Sequence, residues 1–191
     1  IDLSNNHFQH IPTGVFSNMN YLKSLDLRST SLQHVASDAF TNTTSLESLY
    51  LSVNDLNEDV AKAIANLCRL RALWLDRNNL SGPLSDWIPR LYCAQHSIER
   101  LDLVNNPFHS GPFPDFSKFS YLESLVLINT SLNGPIPQSL GHLYHLSELD
   151  VSQNNLIGPI PQSLGHLLHL LILDISNNNL SGHLPHHSTY C

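Results

Sequence analysis

The sequence predicts an α/β solenoid, in which short units of similar length stack side by side and share one core. Three observations lead to this class. An apolar frame recurs eight times along the 191 residues, and leucines alternate with polar residues at its centre. One position of this frame, occupied by Asn or Thr, recurs at steps of 24, 24, 24, 28, 24, 24 and 24 residues. Two apolar positions outside the frame keep the same step. Units this short cannot bury their own apolar side, so a core forms only between stacked neighbours.

The centre of each unit predicts one short β-strand. The segments LRALWLDRNNL, residues 70–80, and LSELDVSQNNL, residues 146–156, show the frame L-x-x-L-x-L-x-x-N-x-L most plainly. In L-x-L the leucines alternate with a polar residue, which is the period of a strand with one buried face. We therefore expect one parallel strand per unit, on the concave side of an arc.

A polar residue follows each predicted strand at the same place in the frame. It is Thr30 or Thr130 in two units and Asn in the other six. A buried Asn at this place can bond the backbone where the chain turns away, so the copies are expected to stack as a ladder. The Asn members are Asn6, Asn54, Asn78, Asn106, Asn154 and Asn178.

The rest of each unit predicts loops, short helices and extended segments on the convex side. Gly and Pro in GPIP, residues 134–137 and 158–161, favour an extended return over a long helix. Two columns are expected to face the core, and all their members except Thr43 are apolar. The first contains Phe16, Phe40, Ile64, Ile88, Phe116, Leu140 and Leu164, and the second contains Met19, Thr43, Leu67, Leu91, Phe119, Leu143 and Leu167.

The whole chain, residues 1–191, is expected to form a single solenoid of about eight units. Four additional residues interrupt the fifth unit near residues 92–97. The chain begins on a predicted strand and ends in STYC, without the cysteine-paired caps that such stacks usually carry. It is therefore expected to be a fragment of a longer protein.

Composition and motifs exclude several classes of function. The net charge of −7 and the lack of a basic tract argue against nucleic acid or anionic lipid as the main partner. No apolar run approaches the roughly 18 residues that a membrane helix needs. The sequence has no G-x-S-x-G, no H-E-x-x-H and no phosphate-binding glycine loop. We expect neither an enzyme nor a cofactor.

The twelve histidines raise the alternative of a metal site. The nearly identical segments PIPQSLGHLYHL and PIPQSLGHLLHL each carry His-x-x-His, at His142 with His145 and at His166 with His169. The same columns hold Asn, Arg, Lys, Ser and Tyr in other units, which predicts a solvated surface. The tail HLPHHSTYC, residues 183–191, lacks a second pair of ligands at zinc-finger spacing. We therefore expect no metal.

The cysteines and the glycosylation sequons favour a secreted protein. Cys68 and Cys93 are separated by 25 residues, close to one repeat, so a disulfide could fix the insertion; the alternative is a buried free Cys68. Cys191 would then pair outside this chain. Sequons occur at Asn42, Asn79, Asn129 and Asn179, although an Asn- and Ser-rich repeat also produces some by chance.

Function is expected on the concave face. Its 38 positions carry fifteen of the 25 charged residues. The central column keeps Asp at both ends but holds Tyr50 and Trp74 in the middle, and aromatics beside arginines are typical of binding hot spots. Trp74 is the strongest candidate; the alternative is that it packs against its strand neighbours. The predicted ligand-binding residues are Arg28, Tyr50, Arg71, Trp74, Asp76, Arg77, Arg100, Asp102, Val104, Val126 and Ile128.

The frame resembles the leucine-rich repeat family, and LNGPIPQSL and LIGPIPQSL resemble its plant extracellular class. NLCRLRALWLDRNNLSGPL, YCAQHSIERLDL and FPDFSKFSYLESLVLINTSLNGPIPQSL are similar to plant receptor-like proteins, the cell-surface immune receptors that include xylanase-elicitor receptors.

The resemblance implies an ectodomain at the outer face of the plasma membrane, or a secreted protein. It would bind an extracellular protein or peptide elicitor in defence signalling and act with partner receptor kinases. The membrane helix of the family and its non-repeat island domain do not occur in this chain. Two alternatives stay open: the ectodomain of a receptor kinase, and a secreted protein like the polygalacturonase inhibitors. The insertion and the opening units, which lack G-x-I-P, weigh against the inhibitor.

Overall fold

Seven short parallel strands form the main sheet in a computed structural model, which describes residues 1–184. We call this sheet the concave sheet. Its strands lie in sequence order and pair in register, leucine beside leucine. They are Ser24–Asp26, Ser48–Tyr50, Ala72–Trp74, Arg100–Asp102, Ser124–Val126, Glu148–Asp150 and Ile172–Asp174. The first predicted unit contributes only an isolated bridge between Asp2 and Asp26.

The alternation of leucine with polar residues positions the side chains of this sheet. Leu49 and Leu73, at the centres of two strands, are completely buried, whereas the residues beside them reach the opposite face. The last strand differs, because Leu173 is 42% exposed. One face of the concave sheet therefore belongs to the core, and the other is available for binding.

The convex side contains short helices and extended segments, as predicted. The α-helices are Val60–Ile64 and Leu84–Trp87, and the 3-10 helices are Ile88–Leu91, Ala94–His96, Gln138–His142 and Gln162–His166. The extended segments also pair with one another, which the sequence did not predict. Gly111–Pro112, Leu132–Pro135, Asn155–Gly158 and Asn179–Leu180 form a second parallel sheet, and His10–Ile11 pairs with His34–Val35.

Both inward columns face the core, with one exception. Met19 is 37% exposed, so its predicted place in the core is wrong. It belongs to the first unit of the chain and has a neighbouring unit on one side only. Thr43, the polar member, is buried, and its hydroxyl donates to the carbonyl oxygen of Phe16 at 2.7 Å. That bond removes most of the cost of burying a hydroxyl.

The predicted ladder connects successive units through buried asparagines. Nδ2 of Asn54 donates to the carbonyl oxygens of Leu51 and Leu27, at 3.0 and 2.9 Å, and its Oδ1 accepts the backbone N–H of Leu32 at 2.9 Å. Equivalent bonds are made by the buried Asn78, Asn106 and Asn154 and by the half-buried Asn178. Asn54 also accepts the N–H of Thr30 at 3.0 Å.

Asn6 is the exception in this ladder. It is exposed, and its Nδ2 donates only within its own unit, to the carbonyl oxygens of Leu3 and Ser4. A ladder asparagine gains its burial and half of its bonds from the unit before it, and Asn6 lies in the first unit of the chain. In this structure Asn6 therefore does not form a buried rung.

The insertion is fixed to the preceding unit. Cys93 forms a disulfide with Cys68, with the two Cα atoms 4.5 Å apart. The Ser97 hydroxyl lies 3.0 and 2.9 Å from the carbonyl oxygens of Cys68 and Leu70. The predictions made for Cys191 and for the histidines of residues 185–191 lie outside the described residues. Within residues 1–184, no helix is long and apolar enough to span a bilayer.

Candidate ligand-binding site on the concave sheet

Two aromatic rings stack at the centre of the concave sheet. Tyr50 and Trp74 occupy the same register position on adjacent strands. Their ring centroids are 4.1 Å apart and their planes differ by 5°. A separation of about 4.8 Å between strands brings flat rings in register into contact. Both side chains are half-buried, so Trp74 packs against a strand neighbour on one face and remains partly accessible.

Arg28 extends this stack by one unit. Its Cζ lies 5.1 Å from the Tyr50 ring centroid. Its Nη2 donates to Asp26 Oδ2 at 2.6 Å and its Nε to Asp26 Oδ1 at 3.0 Å. These hydrogen bonds lower the pKa of the Asp26 carboxyl. Arg28, Tyr50 and Trp74 therefore form a continuous column over three units, which the carboxylate holds in place.

A shallow groove of about 510 Å³ runs beside the column. This volume is within the range of ligand pockets. The half-buried carboxylate of Asp76 lies in its lining. The lining residues are Asn5, Arg28, Ser29, Tyr50, Ser52, Val53, Trp74 and Asp76.

Two of the predicted binding arginines lie in an ion-pair ladder where the strands begin. Arg71 pairs with Glu99, and Arg100 Nη2 lies 3.0 Å from Glu123 Oε2. Lys23 makes the same kind of pair with Glu47 at 3.2 Å. Each cation meets a glutamate of the next unit, and such exposed pairs contribute about 0–1 kcal/mol each. Arg71 and Arg100 thus have intramolecular partners.

Arg77 differs from these arginines. It is exposed, and within residues 1–184 no carboxylate lies within ion-pair distance of it. Its side chain follows the strand that carries Trp74. Arg77 is therefore a cation of this face that is free to meet a ligand.

Asp102 lies on the strand after Trp74, in register with Trp74 and with Val126. Burial raises the pKa of its carboxyl to about 6, and the carboxylates of Asp76 and Glu148 add to this increase. The Val104 N–H donates to Asp102 Oδ1 at 3.0 Å. This hydrogen bond and the positive charge of Arg77 both lower the pKa of Asp102, each by less than burial raises it.

Three aliphatic residues continue the face beyond Asp102. Val104, Val126 and Ile128 are half-buried. Along the central column, the candidate surface therefore changes from aromatic at Trp74 to aliphatic at Val126, with Asp102 between them.

Val53 is a candidate contact that the sequence-based prediction missed. It is 44% exposed, lines the groove and has a backbone φ of +58°. The same left-handed conformation occurs at the equivalent place in every unit, at Asn5, Ser29, Arg77, Asn105, Asn129, Gln153 and Asn177. A β-branched residue is strained there, and such strain is often found at functional sites. The signal in the sequence is an apolar residue within an otherwise polar column.

The sequons and the histidines lie at the surface. Asn42, Asn79, Asn129 and Asn179 are exposed. Of these, Asn129 lies next to the concave sheet, where its Nδ2 donates to Asn105 Oδ1 at 3.0 Å. The four histidines of the repeated segments, His142, His145, His166 and His169, are exposed as expected. Within the described part of the chain, no group of three metal-binding side chains comes together.

Comparison with known proteins agrees with this architecture. Two family models, both described as leucine rich repeat, match the sequence. One matches residues 1–56 and 21–80, and the other matches residues 97–119, 145–167 and 169–191. With its parallel register and asparagine ladder, the chain is a leucine-rich repeat protein. No curated protein sequence matches it.

Solved structures of plant receptors share the fold. The Arabidopsis receptor kinase HAESA, in complex with the peptide hormone IDA and the co-receptor SERK1, has a TM-score of 0.81 and 28% identity, covering 96% of this chain and 31% of HAESA. The plant peptide hormone receptor RGFR1, in complex with RGF2, has a TM-score of 0.69 and 26% identity, covering 94% and 32%. The ectodomain of the Arabidopsis receptor kinase SOBIR1 has a TM-score of 0.54 and 32% identity, covering 62% of each chain. The chain thus spans about a third of the length of HAESA and RGFR1.

Proposed function

We propose that this chain is the ligand-recognition part of a plant cell-surface receptor-like protein. It binds an extracellular protein or peptide elicitor on the concave sheet, in defence signalling. The observation that carries the proposal is the column of Arg28, Tyr50 and Trp74, which lies on an open sheet face and which no other element among residues 1–184 covers. HAESA and RGFR1, which share the fold, were solved with peptide hormones.

The proposed mechanism is binding without chemistry. The strands and the asparagine ladder hold the backbone, so the stacked rings lose little conformational freedom when a ligand binds. Large, partly desolvated aromatic side chains supply much of the energy at protein interfaces, and arginine is enriched there with them. The groove beside Trp74 then accepts a ligand side chain, and the aliphatic residues beyond Asp102 extend the contact.

The proposed location is the extracellular face of the plasma membrane, or the space outside it. The Cys68–Cys93 disulfide supports an oxidising compartment, and the four exposed sequons are accessible to glycosylation. Membrane attachment would come from a segment outside this chain. A co-receptor kinase is the proposed signalling partner, by analogy with the complex of HAESA with SERK1.

A second candidate is the ectodomain of a receptor kinase. The likeness to HAESA and SOBIR1, both receptor kinases, favours it. The sequence of the full transcript distinguishes the two: a kinase domain beyond the membrane helix supports the second candidate, and a short tail supports the first.

A binding selection tests the concave site. Random peptides displayed on phage are selected on the wild-type protein and then measured on Trp74→Ala, with His166→Ala on the convex surface as the matched control. We expect the selected peptides to lose about 2 kcal/mol or more of binding free energy on Trp74→Ala and to bind the control normally. Far-UV circular dichroism verifies that each variant is folded. Equal binding to both variants would exclude Trp74 from the site.

A further inference from the structure

The column on the concave sheet contains a cation-binding arrangement within the protein itself. Asp26 and Arg28 are two residues apart on one strand segment, Asp-Leu-Arg. Asp26 holds the Arg28 guanidinium through Nε and Nη2, and this places the guanidinium over the ring of Tyr50 on the next strand. A carboxylate and an aromatic face together bind one cation here.

The other end of the aromatic pair also has an aspartate at the central position of the adjacent strand, with the same backbone hydrogen bond. Asp102 is in register with Trp74, as Asp26 is with Tyr50. The backbone N–H two residues later donates to Oδ1 at 3.0 Å in both aspartates. In both aspartates Oδ1 is engaged by this bond, and among residues 1–184 no side chain donates to Oδ2 of Asp102, whereas Arg28 donates to Oδ2 of Asp26. The local sequence at Asp102 is Asp-Leu-Val, however. Val104 therefore occupies the position that corresponds to Arg28, and it provides no cation.

We propose that the ligand supplies a cationic side chain, a guanidinium or an ammonium, that binds over Asp102 against the face of Trp74 turned away from Tyr50. The inference rests on the proposed function, and it names the chemistry of the ligand. The complete column then runs from the Arg28 guanidinium through Tyr50 and Trp74 to the cation of the ligand. Adjacent strands are about 4.8 Å apart, so a guanidinium over Asp102 reaches stacking distance from Trp74.

The charge of the concave face supports a cationic ligand. Ten of its charged positions are Asp or Glu and five are Lys or Arg, which gives −5 of the net −7 of the chain. Of the five cations, Arg77 alone has no ion pair within residues 1–184. A cation that approaches Asp102 is also attracted by the carboxylates of Asp76 and Glu148, while the guanidinium of Arg77 opposes this attraction.

The state of the Asp102 carboxyl points the same way. In residues 1–184 its Oδ1 accepts the Val104 N–H, and no side chain donates to Oδ2. Burial and neighbouring carboxylates raise its pKa to about 6, whereas the guanidinium of Arg28 lowers that of Asp26. The carboxylate at Asp102 has lost hydration, and among residues 1–184 it forms no ion pair, although Arg77 is near enough to lower its pKa. A bound cation supplies the opposite charge and donates hydrogen bonds in place of water.

Two small probes test the inference directly. N-acetyl-arginine methylamide carries the guanidinium, and N-acetyl-citrulline methylamide is its neutral counterpart of the same shape. Carboxyl NMR of Asp102 and the indole N–H signal of Trp74 report binding, with the buried Trp87 as internal reference. We expect the arginine probe to lower the pKa of Asp102 by about one unit and the citrulline probe to bind at least about tenfold more weakly. Equal binding of the two probes would overturn the inference.

Val104→Arg places a guanidinium of the protein itself at the proposed cation site. The variant restores Asp-Leu-Arg, so the pKa of Asp102 should fall below its ordinary range and the arginine probe should no longer bind. Ser176→Arg is the matched control, because it creates the same spacing after Asp174 on a strand with no aromatic neighbour. Asp102→Asn is the second test if Val104→Arg fails to fold, and it should weaken the arginine probe about tenfold. Undiminished binding to a folded variant contradicts the proposal.

The outcomes separate this inference from the proposed function. Selected peptides that need Trp74 but carry no Lys or Arg, and that bind Asp102→Asn normally, would overturn the cation inference and leave concave binding intact. Selected peptides that bind Trp74→Ala as tightly as wild type would contradict the proposed function. The arginine probe would then still test separately whether Asp102 binds a cation.

Discussion

Gly141 packs directly against Ser163 of the next repeat. A β-carbon on Gly141 would lie 2.6 Å from the Ser163 β-carbon and closer still to its carbonyl oxygen. The Ser163 hydroxyl donates to the Gln138 carbonyl oxygen at 2.8 Å, which holds the two segments together. These segments are the twin copies of QSLGH, so the repeated sequence is itself a contact between units.

We expect Gly141→Ala to destabilise the fold by about 2 kcal/mol or more, because the backbone of Ser163 would have to move. Gly165 is the equivalent residue of the second copy, and apart from its own chain neighbours no atom of residues 1–184 lies within 4 Å of its β-position. Gly165→Ala is therefore the matched control and should change stability by less than about 1 kcal/mol. Thermal unfolding measures both, with about 2–4 °C per kcal/mol for a chain of this size. Equal melting temperatures would show that the units are not packed this closely.

The repeat step predicted the strands and most of the ladder from sequence alone. The alternation of leucine with polar residues predicts a strand locally. Because the units have a nearly constant length, the same strand is expected at the equivalent place in every unit. The two glycines show the limit of this approach. Gly141 and Gly165 occupy the same motif, and only the residues stacked against them distinguish the two.

The position of the candidate site could be proposed from the sequence, but its side-chain geometry could not. Tyr50 and Trp74 stand out because they replace the aspartate of their column. The bonds between Arg28 and Asp26, and the pairing of Arg71 with Glu99, depend on side-chain conformations that column positions do not specify. The pairing of the convex segments also depends on the distance between neighbouring units. These features needed the structure.

We expect Val53→Asn to stabilise the protein by about 1 kcal/mol, because Asn tolerates the left-handed backbone that strains valine. The same change should weaken the binding of peptides selected on the wild-type protein, since it removes an exposed apolar group from the groove. Urea unfolding and peptide titration measure the two effects.

Gln153→Asn is the control for Val53→Asn. Gln153 has the same backbone conformation as Val53, with φ of +57°, but it does not line the groove. Its stability should change by less than about 0.5 kcal/mol, and peptide binding should not change. If Val53→Asn is not more stable than wild type, valine is not strained at this position.

The pKa of Asp102 predicts how stability depends on pH. Its carboxyl has a pKa of about 6 in the folded state against 3.8 as the ordinary value, so the folded protein holds the proton more tightly. This contribution to stability is complete below pH 4 and is lost as the pH rises through 6. A shift of two units corresponds to about 3 kcal/mol, and partial solvation reduces this to about 1–2 kcal/mol.

Asp102→Asn removes the titration and keeps an oxygen for the Val104 N–H. We expect the variant to match wild type near pH 3.5 and to be about 1–2 kcal/mol more stable at pH 7.5. Urea unfolding at several pH values measures the difference. The variant and wild type share every other carboxylate, including Asp26 and Asp174, whose lowered pKa values act in the opposite direction. A difference that does not vary with pH would contradict the raised pKa.

The asparagine ladder predicts unequal effects of one substitution in two units. In Asn78, Nδ2 donates to the carbonyl oxygens of Leu51 and Leu75, at 2.9 and 3.0 Å, and Oδ1 accepts the N–H of Leu56 at 3.1 Å. Asn78→Ala leaves these buried backbone groups without partners, and we expect a loss of about 3 kcal/mol.

Asn6→Ala removes bonds that water replaces, because Asn6 is exposed and bonds only within its own unit. We expect it to cost less than about 1 kcal/mol. Urea unfolding of both variants gives the comparison, and hydrogen exchange at the Leu56 amide reports the lost bond directly. That amide should exchange faster in Asn78→Ala and at the wild-type rate in Asn6→Ala. Similar losses of stability in the two variants would mean that burial between units does not determine the strength of the ladder.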